Sequence, residues 1–234
     1  DLAVLELQSD GPLPPAAQRQ VAGILRIYRN FQALLDYSER DTLTGLLNRK
    51  TFDEAFVRAA MAMEPDLPAE AAPEIAGGER RAAQPGVRHW LAVVDIDHFK
   101  RVNDQHGHLI GDEVLLLVAR ILRSTFRFDD RLYRFGGEEF VVLLRSITLA
   151  QTRRALERLR TAIQAHVFPQ IGQITVSIGC AATQQGSPVE ALGRADQALY
   201  HAKENGRNRV CFYDDLVRSG ALQTRISHDE VELF

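Results

Sequence analysis

One short segment, Arg134-Phe-Gly-Gly-Glu-Glu-Phe140, limits the fold of this chain more than any other. It places two glycines and two adjacent glutamates between the apolar pair 132–133 and the apolar run 140–144. Apolar runs on both sides of Gly-Gly predict a β-hairpin, because glycine tolerates the positive φ that tight turns require. A turn without side chains also lets an anion approach the backbone. Two carboxylates can adjoin that anion only if a cation lies between them, so the hairpin is predicted to bind a metal–phosphate ligand.

A second apolar run ends in acidic residues and completes this predicted site. The segment Trp90-Leu-Ala-Val-Val-Asp-Ile-Asp97 has the pattern of a buried strand whose end reaches solvent. If this strand neighbours the hairpin, Asp95 and Glu138 converge. Mg²⁺ usually takes one or two protein carboxylates, with water and substrate phosphate as its other ligands. Asp95, Glu138 and the Ile96 carbonyl fit that preference, whereas Asp97 is predicted to cap the helix that follows it.

Alternation of helices and strands around the hairpin predicts an α/β fold with a mixed central β-sheet flanked by helices. The predicted helices are 16–39, 49–63, 98–104, 111–124, 149–166 and 188–205, and the predicted strands are 2–7, 90–95, 173–182 and 208–213, with the hairpin over 131–144. Residues 1–15 are predicted to be the end of an upstream domain and a linker. Segment 64–88 has no apolar period and is predicted to be a mobile insertion. Residues 214–234 are predicted to form a weakly ordered tail or an extra helix.

The predicted helix 16–40 carries an apolar stripe. Its members are spaced alternately by three and four residues and are Val21, Ile24, Tyr28, Phe31, Leu35 and Ser38. Such a stripe is typical of a coiled coil with a second chain. An amphipathic helix that packs on its own domain is the alternative interpretation.

Composition limits the broad class of protein. Of its 234 residues, 45% are apolar and 25% are charged, so the chain can bury one hydrophobic core and carry a further segment outside it. A net charge of −3 excludes a broadly basic nucleic-acid surface. Cys180 and Cys211 are expected to be buried free thiols in a reducing compartment. No apolar stretch predicts a membrane segment, so we expect a cytoplasmic fragment, which starts at Asp1 and lacks an upstream sensory domain.

Six segments carry a family resemblance. Gly136-Gly-Glu-Glu-Phe140 resembles the signature of GGDEF-domain diguanylate cyclases, with Glu at its third position. Five further segments match that family in the same order, namely Asp41–Arg49, Asp95–Lys100, Asn103–Asp112, Ile174–Gly179 and Ala195–Asn208. The resemblance covers roughly residues 40–213, and six ordered motifs are far more specific than one. It implies a catalytic domain over 41–213 with a fold like the palm of nucleotide cyclases and polymerases, preceded by a signalling helix.

The resemblance implies a reaction and its partners. Two GTP molecules condense to cyclic di-GMP as each 3′-hydroxyl attacks the α-phosphate of the other and pyrophosphate is released. Because one domain supplies half of this reaction, a homodimer with facing active sites is expected, with helix 16–40 as a further dimer contact. The implied cofactor is Mg²⁺, with Mn²⁺ as a substitute, at up to two ions per active site.

The resemblance also implies the roles of individual residues. The implied metal ligands are Asp95, the Ile96 carbonyl and Glu138. For Glu139 a metal or base role and a supporting role beside the metal remain open. The phosphate-binding positions are Lys100, Lys203 and Arg207. Further substrate-binding positions are Gly136, Gly137 and the backbone amides of His98, Phe99 and Lys100. Those amides open a predicted helix, which is a favourable place for phosphate.

Asn103 and Asp112 occupy the guanine-reading positions of the family. Guanine presents N1–H and N2–H donors that a carboxylate accepts, whereas adenine presents an acceptor at N1 that would leave the carboxylate unsatisfied. The resemblance therefore implies GTP rather than ATP as the substrate. A cyclase that acts on ATP or makes a mixed dinucleotide is a more distant alternative, against which Asp112 argues.

Arg127 and Asp130 form an Arg-x-x-Asp motif upstream of the hairpin and match the inhibitory product site of the family. An arginine can bind phosphate or guanine with two hydrogen bonds, and an aspartate can accept from guanine. A surface pair three residues apart is the alternative interpretation. The competing hypothesis for the whole chain is a catalytically weak module that regulates by binding GTP or cyclic di-GMP. Such modules usually lose a signature carboxylate or a metal ligand, and this chain keeps both.

Overall fold

The computed structural model describes residues 14–53, 87–183 and 188–222. The chain divides into two compact units, Asp1–Arg40 and Asp41–Phe234. Helix α1, Pro15–Glu39, is the described part of the first unit and confirms the predicted helix 16–39. Several of its large apolar side chains are exposed, namely Ile24, Ile27, Tyr28, Phe31 and Tyr37.

The described part of the second unit contains one mixed sheet of six strands in the order β1-β3-β4-β2-β5-β6. The strands are β1 Leu47–Asn48, β2 Val87–Ile96, β3 Arg131–Gly136, β4 Glu139–Thr148, β5 Val176–Thr183 and β6 Val210–Phe212. The outer pairs β1/β3 and β5/β6 are parallel, and the inner pairs are antiparallel. Because β2 pairs with β4 and β5 along its length, it is buried from Trp90 to Ile96. The predicted mixed α/β fold is confirmed.

Helices cover both faces of this sheet. They are α2 Phe99–His106, α3 His108–Thr125, α4 Leu149–Ala165, α5 Pro188–Glu204 and α6 Tyr213–Arg218. On one face α3 and α4 pack on alternate residues of β2 such as Ala92 and Val94, and on the other α5 and α6 pack on Leu91 and Val93. Successive strand side chains point to opposite faces, so a continuous apolar run supplies both layers of core.

Helix α5 lies unusually close to the sheet at Gly179. A Cβ atom at this position would lie 2.1 Å from the Ala195 carbonyl oxygen and 2.2 Å from the Leu199 nitrogen. Only glycine permits this approach of helix to strand. The contact matters for function because α5 ends beside the carboxyl end of β2 and carries Lys203 in its last turn.

Several predicted boundaries differ from the observed ones. Strand β4 continues four residues past the predicted hairpin end, because Thr148 caps α4 in a reciprocal capping box with Gln151 and the helix starts directly after the strand. Helix α6, Tyr213–Arg218, runs into the start of the predicted tail 214–234. The predicted strand 2–7, most of helix 49–63 and nearly all of the insertion 64–88 lie outside the described residues. None of the described helices is long and apolar enough to cross a membrane.

Candidate active site

The carboxyl end of β2 brings the predicted metal ligands to the hairpin. Asp95 pairs in register with Glu139 on β4 and with Ser177 on β5, so the predicted neighbourhood of the two strands is confirmed. Asp95 is only 5% exposed, and the next residue, Ile96, is fully buried. The Asp95 Oδ2 atom lies 2.7 Å from the Nζ atom of Lys203, which reaches it from the end of α5.

Charge is poorly balanced around Asp95. Burial raises the pKa of its carboxyl to about 6, and the nearby carboxylates of Glu138 and Glu139 add to the rise, although Lys203 opposes it. A buried carboxylate with an elevated pKa and two like charges beside it is a typical feature of functional sites. A divalent cation would neutralise these charges more fully than Lys203 alone.

The hairpin turn has the conformation that its glycines predict. Gly136 and Gly137 have φ values of 145° and 49°, and Glu138 is partly exposed at the turn. The guanidinium of Arg134 fixes this turn by donating to the Gly137 carbonyl oxygen at 2.9 and 3.1 Å. The same guanidinium donates to both carboxylate oxygens of Asp41 at 3.1 Å.

Asp41 therefore links the start of the second unit to the turn. Burial acts to raise its pKa, but hydrogen bonds from Thr44 and Arg134 outweigh burial and lower it. The Thr44 backbone and hydroxyl donate to Asp41 Oδ1 at 2.8 and 2.6 Å. Sequence reasoning missed Arg134 and Asp41 as a pair, although both lie inside recognised motifs, because 93 residues separate them.

Asp97 does not cap the helix after β2, so this prediction was wrong. The N-cap residue of α2 is His98, which has a φ of 59° and makes no side-chain capping bond. Asp97 is buried and accepts instead from the hydroxyl groups of Thr175 and Ser177 at 2.6 and 2.7 Å, and from the Asn208 amide at 3.1 Å. Its structural role is thus to join the start of β5 to the loop after α5, because tertiary donors displaced the local cap.

The residues of the predicted guanine site lie on two neighbouring helices. Asn103 is on α2, and its Oδ1 atom would lie 2.0 Å from a Cβ atom at Gly111 of α3. Gly111 is therefore needed for the close approach of the Asn103 side chain, and Asp112 follows it in an exposed position. The predicted phosphate residue Lys100 is also exposed, in the first turn of α2, next to the buried Phe99.

Two further predicted phosphate-binding residues, Lys203 and Arg207, come from the end of α5 and the loop after it. Lys203 lies in the last turn of α5, and Arg207 follows in a loop with a φ of 58°. In the predicted inhibitory motif, the Asp130 carboxylate accepts from the Arg127 backbone amide at 3.0 Å and does not pair with the Arg127 guanidinium. Arg127 is exposed. The hydrogen bond between residues 127 and 130 closes a local turn.

Sequence reasoning missed Asp196, a residue of α5 near the site. Burial raises the pKa of its carboxyl, and Glu139 adds to the rise, whereas Arg49 and Lys203 oppose it. The Arg49 guanidinium also lies 5.6 Å from the centre of the Phe135 ring beside the hairpin. A periodic helix pattern gives no signal for such a residue, because its neighbours come from other elements.

Fold and site together define an α/β domain that presents clustered carboxylates, basic side chains and a glycine turn at one end of its central strand. A family model described as "Diguanylate cyclase, GGDEF domain" matches residues 74–209. The chain therefore belongs to the GGDEF-domain diguanylate cyclase family. Members of this family generally depend on a metal ion.

Known relatives agree with this membership. The chain is 44% identical over 174 residues to diguanylate cyclase DgcP of Pseudomonas aeruginosa, and the match covers 73% of the chain and 23% of DgcP. It is 34% identical over 195 residues to diguanylate cyclase DgcZ of Escherichia coli, which covers 78% and 59%. The chain thus spans less than two thirds of either relative. A solved structure of the coiled coil and GGDEF domain of DgcB from Caulobacter crescentus, in complex with c-di-GMP, superposes with a TM-score of 0.69 at 29% identity and covers 84% of this chain and 97% of that one.

Proposed function

We propose that this chain is a diguanylate cyclase that condenses two GTP molecules into cyclic di-GMP and releases two pyrophosphates. One observation carries the proposal: the buried Asp95 carboxylate lies near the carboxylates of Glu138 and Glu139 at the glycine turn and forms an ion pair with Lys203. Phosphoryl transfer depends mainly on positioning and on neutralising negative charge, and this end of β2 offers groups for both. Relatives named diguanylate cyclases support the same reaction.

The donor set fits magnesium. In the described residues no group of three or more Asp, Glu, His or Cys side chains is arranged to hold a metal by itself. Mg²⁺ does not need one, because it takes one or two carboxylates and completes its shell with water and phosphate. Asp95, the Ile96 carbonyl and Glu138 would hold up to two ions, and Mn²⁺ could replace them. A bound ion would neutralise charge that develops on the reacting phosphate.

Lys203 has two roles in this proposal. Without nucleotide, its ammonium group lies against Asp95, where it partly compensates a buried charge. When a metal–nucleotide ligand binds, the metal would take over that compensation, and Lys203 would turn to the phosphates together with Arg207 and Lys100. The backbone amides of His98 and Phe99 would complete the phosphate contacts at the start of α2.

Substrate choice would rest on the pair of helices α2 and α3. Asp112 would accept from the N1–H and N2–H donors on the Watson–Crick edge of guanine, with Asn103 beside it, which fits GTP, whereas ATP would leave the carboxylate unsatisfied. Replacing Asp112 by Ala should therefore reduce the preference for GTP over ATP.

The reaction would require two copies of the chain, because each domain binds one GTP. Exposed apolar residues on α1, such as Ile24 and Phe31, support a coiled coil with a second copy. A coiled coil is also named in the solved structure of DgcB. With GTP as the substrate, the domain would work in the cytoplasm, under control of an upstream sensory domain.

Product inhibition would act through Arg127 and Asp130. The exposed Arg127 guanidinium could bind phosphate or guanine with two hydrogen bonds, and complexes of DgcB with c-di-GMP support binding of product by this fold. Arg127→Ala should weaken inhibition by cyclic di-GMP and leave activity in place.

The direct test is to incubate the chain with GTP and Mg²⁺ and to identify the products by chromatography and mass spectrometry. Wild type should form cyclic di-GMP, Glu138→Ala should not, and Glu190→Ala, at an exposed surface pair on α5, should match wild type. Absence of product from wild type at concentrations that force dimers would favour the regulatory binding module instead.

A further inference from the structure

The loop after α5 has an unusual backbone. Three consecutive residues, Gly206, Arg207 and Asn208, have φ values of 105°, 58° and 45°. The Arg207 amide donates to the Ala202 carbonyl oxygen at 3.0 Å and closes the helix end. One glycine is enough for such an end, whereas residues with a Cβ rarely adopt the left-handed backbone, although asparagine does so more readily than arginine. Arg207 and Asn208 therefore need support from elsewhere in the fold.

Asp97 provides the first support. Its Oδ2 atom accepts from the Asn208 amide at 3.1 Å. The carboxylate is itself fixed by the hydroxyl groups of Thr175 and Ser177, and it is buried. The loop is thus attached to the strand end two residues beyond Asp95.

Arg160 of α4 provides the second support, through the side chain of Asn208. Its Nη1 atom donates to Asn208 Oδ1 at 2.8 Å and to Gln164 Oε1 at 2.7 Å. Its Nε atom donates to Glu157 Oε1 at 2.9 Å, and the side chain is only 15% exposed. Because two residues of its own helix fix the guanidinium, Arg160 is a rigid anchor for the loop.

The side chain that this loop carries is Arg207. Within the described residues its guanidinium makes no hydrogen bond, although its carbonyl accepts from Arg209 Nε at 3.1 Å. The network therefore fixes the backbone of Arg207 and leaves the charged end of the side chain available for a ligand. Strained backbone of this kind persists where the surroundings over-determine it, commonly at ligand-binding positions.

We propose that Asp97, Asn208 and Arg160 are positioning residues, which hold the left-handed backbone at 207–208 so that the Arg207 guanidinium is directed at the phosphates of the nucleotide. Asp97 acts on the Asn208 amide, and Arg160 acts on the Asn208 side chain. The inference rests on the proposed function, in which Arg207 binds substrate phosphate. It adds that Arg160, whose guanidinium is engaged by Glu157, Gln164 and Asn208, determines how well Arg207 does so.

A double-mutant cycle on the full chain tests this. The variants are Arg160→Met, Arg207→Met and the double variant, and the readout is the dissociation constant of a non-hydrolysable GTP analogue with Mg²⁺. Arg160→Met alone should weaken binding roughly fivefold, as expected for one lost hydrogen bond. In the Arg207→Met background the same change should have no further effect, because Arg160 acts through Arg207. Arg154→Met, at an exposed position of the same helix, is the matched control and should bind like wild type.

A second variant covers the case in which Arg160→Met fails to fold. Asn208→Gly keeps a residue suited to the left-handed backbone and keeps the amide that donates to Asp97, but it removes the acceptor of Arg160. It should reproduce the roughly fivefold loss. Additive effects in the cycle, or unchanged binding in folded Arg160→Met and Asn208→Gly, would overturn the inference.

The same preparations separate this inference from the proposed function. Cyclic di-GMP formation from GTP is measured in parallel with binding. A non-additive binding cycle without any product from wild type would support the positioning network and contradict the cyclase. No binding of the analogue to wild type would overturn both.

Discussion

Two aspartates at the end of β2, only two residues apart, have opposite surroundings. Asp97 has left the strand ladder and accepts hydrogen bonds from two hydroxyl groups and one amide. Asp95 is still within the ladder, has Lys203 as its ion-pair partner and lies near the carboxylates of Glu138 and Glu139. Burial, and to a smaller extent the two carboxylates, raise its pKa to about 6, although Lys203 opposes the rise. Both side chains are almost fully buried.

The difference shows how one strand end serves structure and chemistry together. Asp97 is satisfied by neutral donors, so its removal leaves those donors without a partner and should destabilise the fold. Asp95 is kept ionised at neutral pH against its surroundings, so its charge costs stability unless a cation binds. Residues whose local energetics are unfavourable in the free protein are expected at functional sites.

The largest expected effect is on activity at Asp95. Asp95→Asn keeps the shape of the side chain but removes the charge that would hold the metal, so cyclic di-GMP formation should fall about 10²–10³-fold. Product formation at saturating GTP and Mg²⁺ measures this. Asp104→Asn, at an exposed position of α2, serves as the control, and near-normal activity of Asp95→Asn would remove Asp95 from the chemistry.

A large effect on stability is expected at Asp97. Asp97→Ala leaves the Thr175 and Ser177 hydroxyl groups and the Asn208 amide without their acceptor, which should lower the free energy of unfolding by about 2–4 kcal/mol. Urea denaturation followed by circular dichroism gives this value. If Asp97→Ala were as stable as an Asp104→Ala control, the three hydrogen bonds would not contribute to stability.

The charge of Asp95 should make stability depend on pH. Its pKa is about 6 in the folded state against an ordinary value of 3.8, so the folded state keeps the proton longer than the unfolded state does. This group therefore lowers the free energy of unfolding as pH rises from about 4 to 6. Asp95→Asn lacks the effect and should equal wild type below pH 4 and exceed it by up to about 3 kcal/mol well above pH 6. If the difference in stability between Asp95→Asn and wild type did not change with pH, Asp95 would not have a raised pKa in the folded state.

A smaller effect is expected at Ser177. Ser177→Ala removes one of the three donors to Asp97, at 2.7 Å, and leaves the other two in place. The free energy of unfolding should fall by about 1 kcal/mol. The control is Ser124→Ala, because the exposed Ser124 hydroxyl donates to the Ile121 carbonyl of its own helix. Thermal or urea denaturation gives the stability of both variants. A loss as large as that of Asp97→Ala would mean that Ser177 alone holds the carboxylate.

The sequence predicted the parts of the fold that depend on local pattern. The glycine turn at Gly136 and Gly137 and the buried run ending at Asp95 were found because periodicity and turn chemistry are local. Strand β1, with two residues, was missed because its only definition is its pairing with β3. Asp97 was misassigned because the local capping rule competes with donors that lie 78 and 80 residues away.

The same dependence on distant contacts explains why some residues of the candidate site were not predicted from the sequence. Asp95, Glu138 and Lys203 were identified through motifs, and the proximity of Asp95 to the hairpin follows from the pairing of β2 with β4. Asp196 and Arg160 were not identified, because each sits on a helix face and acquires its role from a neighbour on another element. Roles that depend on tertiary contacts leave no periodic signal in one sequence.

The most direct test replaces each carboxylate by an amide of the same shape and compares Asp95→Asn with Asp97→Asn by urea denaturation at pH 7. We expect opposite signs: Asp95→Asn should be more stable than wild type, and Asp97→Asn less stable, because an amide cannot replace a carboxylate that accepts from three donors. A loss of stability in both variants would show that Asp95 is an ordinary structural ion pair with Lys203, and would contradict the separation of roles at the end of β2.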